Sequence, residues 1–542
     1  MSLEVRSQIP KAKQAGHKRV TYSGELACNT ASGQPWLYSQ VANWDQVVLH
    51  NASGILLSAV RFPEGTNSNW YDGVNQIIDT NRSTLIGDSS HAAYPYVMQY
   101  STFFSFVDQL PVRPEIYSCI NVFTQTYDEI IAAIELYKAA SGNSVINWEL
   151  GNELNFASTY TSSVDDAFAS LTGEDLALAY TWFPNGTFTS DGGDYAAKCK
   201  PVVDYIRANY PEDKIAISST MDSDINSVYD LSATWDDYHM LNDAWVANCA
   251  KQFNFDGMIV HAYLHPDYMW TGLYNSGNPA YTDSQWLVGT SNSGENLYRW
   301  IMSFAQDGPA KIVSKSFSRC PNKELWFTEA NMLLVPNNPD TVTNRPTEIE
   351  GQAAHTVYRV LWTISYMFSW LEQVSIFKDL IRTVMFHACG RATNLDTYNS
   401  HYNNEDYPDP VSLSSLGIAY YLMNKLTADM THFEVPFIDT TAIDKQGVKT
   451  FSRTKLKPVR LVYFDNKTNK RAMILNISPD AHDVVVDFTP ATYLRFVAAD
   501  NSLGLWDNIP VSTFFDDTDF GSGSHTSQTY TAPAFSVTIL ED

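Results

Sequence analysis

Short apolar runs rich in β-branched and aromatic residues alternate about eight times with longer amphipathic stretches between residues 17 and 427. That order predicts strands and helices in strict succession, hence a parallel α/β fold, and eight units are the number that closes a (β/α)8 TIM barrel. The pattern places the strands at Arg19–Cys28, Ile55–Phe62, Glu115–Phe123, Val145–Leu150, Lys214–Ser219, Gly257–Tyr263, Glu324–Glu329 and Thr383–His387. Between them, stretches such as Tyr127–Ala140 and Tyr195–Asn209 repeat apolar residues every three to four positions, the period of a helix with one buried face.

Beyond Leu426 the period changes. Short alternating segments separated by turns, at Arg460–Tyr463, Arg471–Asn476, Val484–Asp487 and Phe535–Leu540, predict an all-β sandwich. The chain is thus expected to divide into a barrel over residues 17–427 and a sandwich over 428–542, with residues 4–16 adding an edge strand to the sandwich. The apolar run Val357 to Trp370 is interrupted by Arg359, Thr363 and Ser365 and is shorter than the roughly 20 residues that span a bilayer, so no membrane insertion is expected.

Composition narrows the partners. A formal charge of −25 disfavours nucleic acid, whose phosphates are bound by clustered Lys and Arg. The 31 Tyr and 14 Trp supply many flat faces of the kind that stack on sugar rings, although a large aromatic core produces the same count. Six scattered cysteines lack the spacing of a zinc site and are expected to be buried thiols, with one disulfide as the rival arrangement. No phosphate-binding or dinucleotide-binding glycine motif is present, and neither a metal nor a cofactor is expected. No charged-then-apolar leader opens the sequence; a secreted or periplasmic location is the expectation, with the cytoplasm left open. The oligomeric state is not legible.

In such barrels the loops after the strands form the active face, so polar residues at strand C-terminal ends are the ones that matter. The fourth strand ends Trp148-Glu149-Leu150-Gly151-Asn152-Glu153, and the seventh carries Trp326-Phe327-Thr328-Glu329-Ala330-Asn331. A barrel can set the ends of these two strands across one pocket although 176 residues separate the glutamates. A pair of carboxyl groups, one protonated to protonate a leaving oxygen and one ionised to attack an anomeric carbon, is what retaining glycoside cleavage requires.

The Gly-Asn-Glu segment resembles the fourth-strand motif of clan A glycoside hydrolases, and the strand-seven segment is similar to the one that carries the nucleophile in that clan. Arg61-Phe62-Pro63-Glu64-Gly65-Thr66-Asn67-Ser68-Asn69-Trp70 resembles the strand-two segment of the heparanase/β-glucuronidase and α-L-arabinofuranosidase families, and the β-xylosidase family shares the architecture. Two departures stand out: Glu64 occupies a position that is usually Gly, and strand eight offers Phe386-His387 in place of the usual Trp. The resemblance implies Glu153 as general acid/base, Glu329 as nucleophile, Asn152 at the sugar 2-hydroxyl, Arg61 beside the nucleophile and Tyr263 as a hydrogen-bond donor to it. His261 and His387 are candidates for substrate hydroxyls, with a satisfied barrel histidine the competing reading for each. Glu149 shares the parity of Glu153 and is expected to point inward but deeper, anchoring a buried polar network with no catalytic part.

Aromatic residues in the long segments after strands four and six, Trp182 and Trp270 foremost, are candidates to line sugar subsites. The expected function is retaining hydrolysis of a β-linked polysaccharide or oligosaccharide, nearest in pattern to the heparanase-like family. An endo-acting agarase or galactanase type of enzyme, and a barrel that binds carbohydrate without cleaving it, are the alternatives.

Overall fold

The computed structural model of the chain describes residues 4–8, 22–26, 59–63, 65–79, 98–109, 113–154, 171–182, 191–222, 242–264, 322–332, 357–377, 380–389, 402–403, 412–413, 415–430, 432–438, 457–497 and 517–542, with a few short pieces between 302 and 317 and at 500, 503, 509 and 514. Eight parallel strands close into a barrel: Tyr22–Leu26, Ala59–Arg61, Glu115–Ile120, Ile146–Leu150, Lys214–Asp222, Gly257–Leu264, Glu324–Met332 and Ile381–Cys389. Each lies on one of the eight strands predicted from the apolar runs.

Side-chain alternation explains why these runs form strands. Val60, Ile116, Ile146, Trp148, Leu150, Ile215, Ile217, Met258, Val260, Leu325 and Phe327 point outward into the main core shared with the helices. The intervening residues point inward, where Ala59, Tyr117, Ala216, Ile259, Trp326 and Met385 pack together as an apolar plug across the barrel. Small residues on two strands leave room for the indole of Trp326 and the ring of Tyr117, which meet edge to face at 5.3 Å. The plug is why the site above it has a solid floor.

The helices are set by local signals. Tyr127–Ala140 opens with a capping box: Thr126 accepts from the Glu129 backbone N–H, and Glu129 accepts from the Thr126 backbone N–H at 2.8 Å. The helix Gly193–Asn209 packs beside it, and Tyr195 donates to the Leu150 carbonyl at 2.7 Å, tying that helix to the end of strand four. Cys119, Cys199 and Cys249 are buried thiols outside any disulfide, while Cys28, Cys320 and the side chain of Cys389 lie outside the described residues.

Two sheets form the sandwich. One has six strands in the order His432–Glu434, Val459–Asp465, Lys470–Asn476, Ser536–Glu541, Thr492–Val497, Gly521–Ser524; the other has four in the order Phe437–Ile438, Glu4–Gln8, His482–Val485, Thr529–Ala532. Val459, Leu461, Tyr463, Ile474, Val484 and Tyr530 fill the space between them. Glu4–Gln8 is an inner strand and not the edge strand expected: it pairs parallel with His482–Val485 and antiparallel with Phe437–Ile438, so both its backbone edges are hydrogen-bonded.

The other face of the six-stranded sheet covers the barrel. Val462, Met473, Leu475, Phe496, Val537 and Ile539 belong to the same core as the helix Val357–Phe377, which is buried along most of its 21 residues. Arg460 crosses that boundary, donating to the Ser365 carbonyl at 2.5 Å and to Ser369 Oγ at 2.9 Å, with Glu372 Oε1 2.8 Å from its Nη2. Among the described residues no helix is long and apolar enough to cross a membrane; the run read as too short to span is an interface helix.

Candidate active site

Five of the predicted residues meet at the C-terminal mouth of the barrel. Arg61 ends strand two, Asn152 and Glu153 follow strand four, His261 is on strand six and Glu329 is on strand seven. Arg61 is fully buried and donates from Nη1 to Glu329 Oε1 at 2.8 Å and from Nη2 to Asn152 Oδ1 at 2.8 Å. His261 Nδ1 stands 2.7 Å from Glu153 Oε1 and 3.4 Å from Glu329 Oε2. Glu153, His261 and Glu329 each bring one polar atom to within 4.8 Å of the others.

Backbone geometry makes this convergence possible at two places. After strand four, Gly151 adopts φ +83°, where a Cβ would meet Leu154 Cδ1 at 2.2 Å, and Glu153 itself has φ +50°. The reversed turn brings the Glu153 side chain to His261 on strand six. On strand seven the register slips by one residue: Trp326 pairs with Ile259, but Glu329 pairs with His261. This β-bulge lets Thr328 and Glu329 both face the interior, as their contacts with His261 and Arg61 show. Regular alternation from the inward-facing Trp326 would turn Glu329 out of the barrel.

The two carboxyl groups differ in setting. The Glu153 side chain keeps about a quarter of its exposure (26%), whereas that of Glu329 keeps 5%. Burial alone would pull His261 below the ordinary histidine range; the charges of Glu329 and then Glu153 outweigh it and raise the ring's proton affinity above that range. Burial above all pushes the Cys119 thiol, beneath Arg61, up to about 12, so it stays neutral.

Asn152 is held through both its backbone N–H and its carbonyl by Asn69, which is not among the residues expected from the sequence to form the site. Asn69, in the loop after strand two, donates through Nδ2 to the Asn152 carbonyl at 2.9 Å and accepts from the Asn152 N–H at 3.1 Å. Arg61 occupies Asn152 Oδ1, while the buried Nδ2 has no hydrogen-bond partner among the described residues. A buried amide donor left open is costly unless something else accepts from it. Asn69 lies within the segment Arg61–Trp70 that follows strand two, and an amide at the mouth of the barrel is the signal the sequence offers for it. Glu149, read as the anchor of a buried network, contacts Arg61 at 2.8–2.9 Å and is fully buried. Thr328 is a further addition, 3.4 Å from both Glu149 Oε2 and His261 Nε2.

The remaining candidates are placed only in part. Tyr263 pairs through its backbone with Asn331, and His387 lies on strand eight; the side chains of both are outside the described residues. Trp182 closes the helix Gly173–Trp182 with its side chain likewise outside, and Trp270 lies wholly outside. The Glu153, His261 and Glu329 atoms have a spacing at which three ligands can hold a cation, but the Arg61 guanidinium on Glu329 places a fixed positive charge there that opposes a divalent ion.

No protein-family model and no curated protein matches the sequence. Solved structures do match along the whole chain. An α-L-arabinofuranosidase from Thermotoga maritima in complex with arabinose superposes with a TM-score of 0.56 at 11% identity, covering 100% of this chain and 99% of its own. A family 51 α-L-arabinofuranosidase from Bifidobacterium longum gives 0.56 at 12% identity, covering 99% and 98%. A 4-O-α-L-rhamnosyl-β-D-glucuronidase from Fusarium oxysporum gives 0.52 at 14% identity, with 100% of both chains covered. From its first strand to its last, the chain has the barrel-plus-sandwich fold of these glycoside hydrolases.

Proposed function

We propose that the protein is a retaining glycoside hydrolase that cleaves a β-linked oligosaccharide or polysaccharide through a covalent glycosyl-enzyme intermediate. The observation that carries this reading is the approach of a Glu153 oxygen to within 4.8 Å of a Glu329 oxygen. Retention calls for carboxyl groups about 5–5.5 Å apart, whereas inversion leaves room for a water between them at roughly 6.5–9.5 Å.

In the first step Glu329 attacks the anomeric carbon as Glu153 gives its proton to the departing glycosidic oxygen. In the second, Glu153 takes a proton from water, which displaces Glu329 with a second inversion and so restores the starting configuration. Arg61 sets its positive charge against the Glu329 carboxylate, and Nδ2 of Asn152, open among the described residues, supplies a donor for the 2-hydroxyl, a contact that strengthens as positive charge develops on the ring. The partial exposure of Glu153 suits a group that must meet both the leaving oxygen and the incoming water. Residues 17–427 would form the catalytic unit, and 428–542 with the N-terminal strand a sandwich that braces it.

A panel of aryl glycosides, followed by nuclear magnetic resonance of the first-formed sugar, tests the proposal. The expected product has the anomeric configuration of the substrate, and Glu329→Gln is expected to lose activity by a factor of at least about 10⁴ while still binding sugar. An inverted first product would refute retention. Sugar binding without turnover by the wild-type protein would favour a non-catalytic carbohydrate-binding barrel.

A further inference from the structure

Arg61 carries one positive charge and, among the described residues, shares it between two buried carboxylates. Glu149 takes Nε at 2.9 Å and Nη2 at 2.8 Å as a fork, and Glu329 takes Nη1 at 2.8 Å. A fork of parallel charge-assisted bonds fixes the plane of the guanidinium as well as its position. Arg61 and Glu149 are both 0% exposed, so little water screens the Glu149 charge from its neighbours.

A retaining nucleophile meets two opposed demands. It must be electron-rich enough to attack in the first step and a good enough leaving group to be displaced in the second. An arginine serving Glu329 alone would draw electron density from the attacking oxygen, slowing the first step and easing the second. We propose that Glu149 is a positioning residue that divides the charge of Arg61, withholding part of it from Glu329 so that the nucleophile stays reactive. This rests on the retaining reading above.

The described groups around Glu149 fit that role. Arg61 faces it from strand two and Thr328 from strand seven, with Glu329 beyond on the same guanidinium. Cys119 on strand three, paired with Glu149 in register, is neutral and adds no competing charge. Thr328 Oγ1 lies between Glu149 Oε2 and His261 Nε2, so the same carboxylate is linked through one hydroxyl to the ring that faces both Glu153 and Glu329. A carboxylate that merely glued strands together would affect both chemical steps alike.

The test separates the steps in the full-length protein. With the aryl glycoside the wild type cleaves best, kcat/KM reports glycosylation. Release of sugar from enzyme trapped with the matching 2-deoxy-2-fluoro glycoside reports deglycosylation. Glu149→Gln is expected to lower the first by about 10–100-fold and to speed the second by about 3–10-fold. Both rates falling together, or neither moving, would overturn the proposal. Glu149→Asp keeps the test decisive should the glutamine form not fold. Drawing the carboxylate back by one methylene should move the two rates in the same opposite directions by smaller factors, and an equal loss in both would again overturn it. A wild type that cleaves no glycoside in the panel, or inverts, refutes the retaining reading itself and this inference with it.

Discussion

His261 shows how a single buried ring can join two acidic groups. Its Nδ1 faces both Glu153 and Glu329, and burial, which alone would discharge it, is outweighed by those carboxylates. A histidine whose proton affinity is raised by folding stabilises the fold while it is protonated. The contribution is complete below the unfolded-state value and is lost as the pH rises through the higher folded-state value. His261→Asn is therefore expected to flatten the fall in Tm from mildly acidic to alkaline pH; parallel melting curves for the two proteins would show that the ring bears no such charge. At this scale the sequence exposed Asn152 and Glu153 because they are adjacent in a short motif, and Arg61 because it ends a strand. The links from Arg61 to Glu149 and from Asn69 to Asn152 span 88 and 83 residues, so no local pattern could reveal them.

Elements position these residues through irregularities. The loop after strand four is pinned by Asn69 from the loop after strand two, so the two loops act as one support under Asn152 and Glu153. Asn69→Ala leaves a buried N–H and C=O of Asn152 unpaired, a loss on the order of 1–3 kcal/mol. Urea unfolding should register that loss, and kcat/KM should fall beyond what the lower folded fraction explains; unchanged kcat/KM at full folding would show that Asn69 does not position the loop. All eight barrel strands were legible, because outward apolar residues recur wherever helices cover the barrel. The bulge on strand seven was not. Which residue of Phe327, Thr328 and Glu329 faces inward depends on hydrogen bonds to strands six and eight, and these exist only once the barrel has closed.

Across the whole molecule, the sandwich is joined to the barrel by an apolar face, and Arg460, Lys457 and Glu372 form a charged cluster within that junction. Burial alone would raise the Glu372 carboxyl, but Arg460 and then Lys457 outweigh it and hold the group below the usual carboxylate range. A carboxyl depressed on folding stabilises the protein above its unfolded-state value and ceases to do so as the pH falls through the folded one. Glu372→Gln is thus expected to lower Tm at neutral pH, with the gap to wild type closing through the acid carboxylate range. A gap independent of pH would show that the pair contributes by packing alone.

By itself the sequence determined the alternation of strand and helix, the change to short strands beyond the barrel, and the residue types at the strand ends. Each of these is written in local spacing and apolar pattern, which act before any distant contact forms. Only the tertiary structure decided that Glu4–Gln8 lies inside the four-stranded sheet, that Glu329 faces the pocket, and that one guanidinium serves both Glu149 and Glu329. Those outcomes depend on strand register and on sharing a buried charge, and both are set by neighbours far away in the chain.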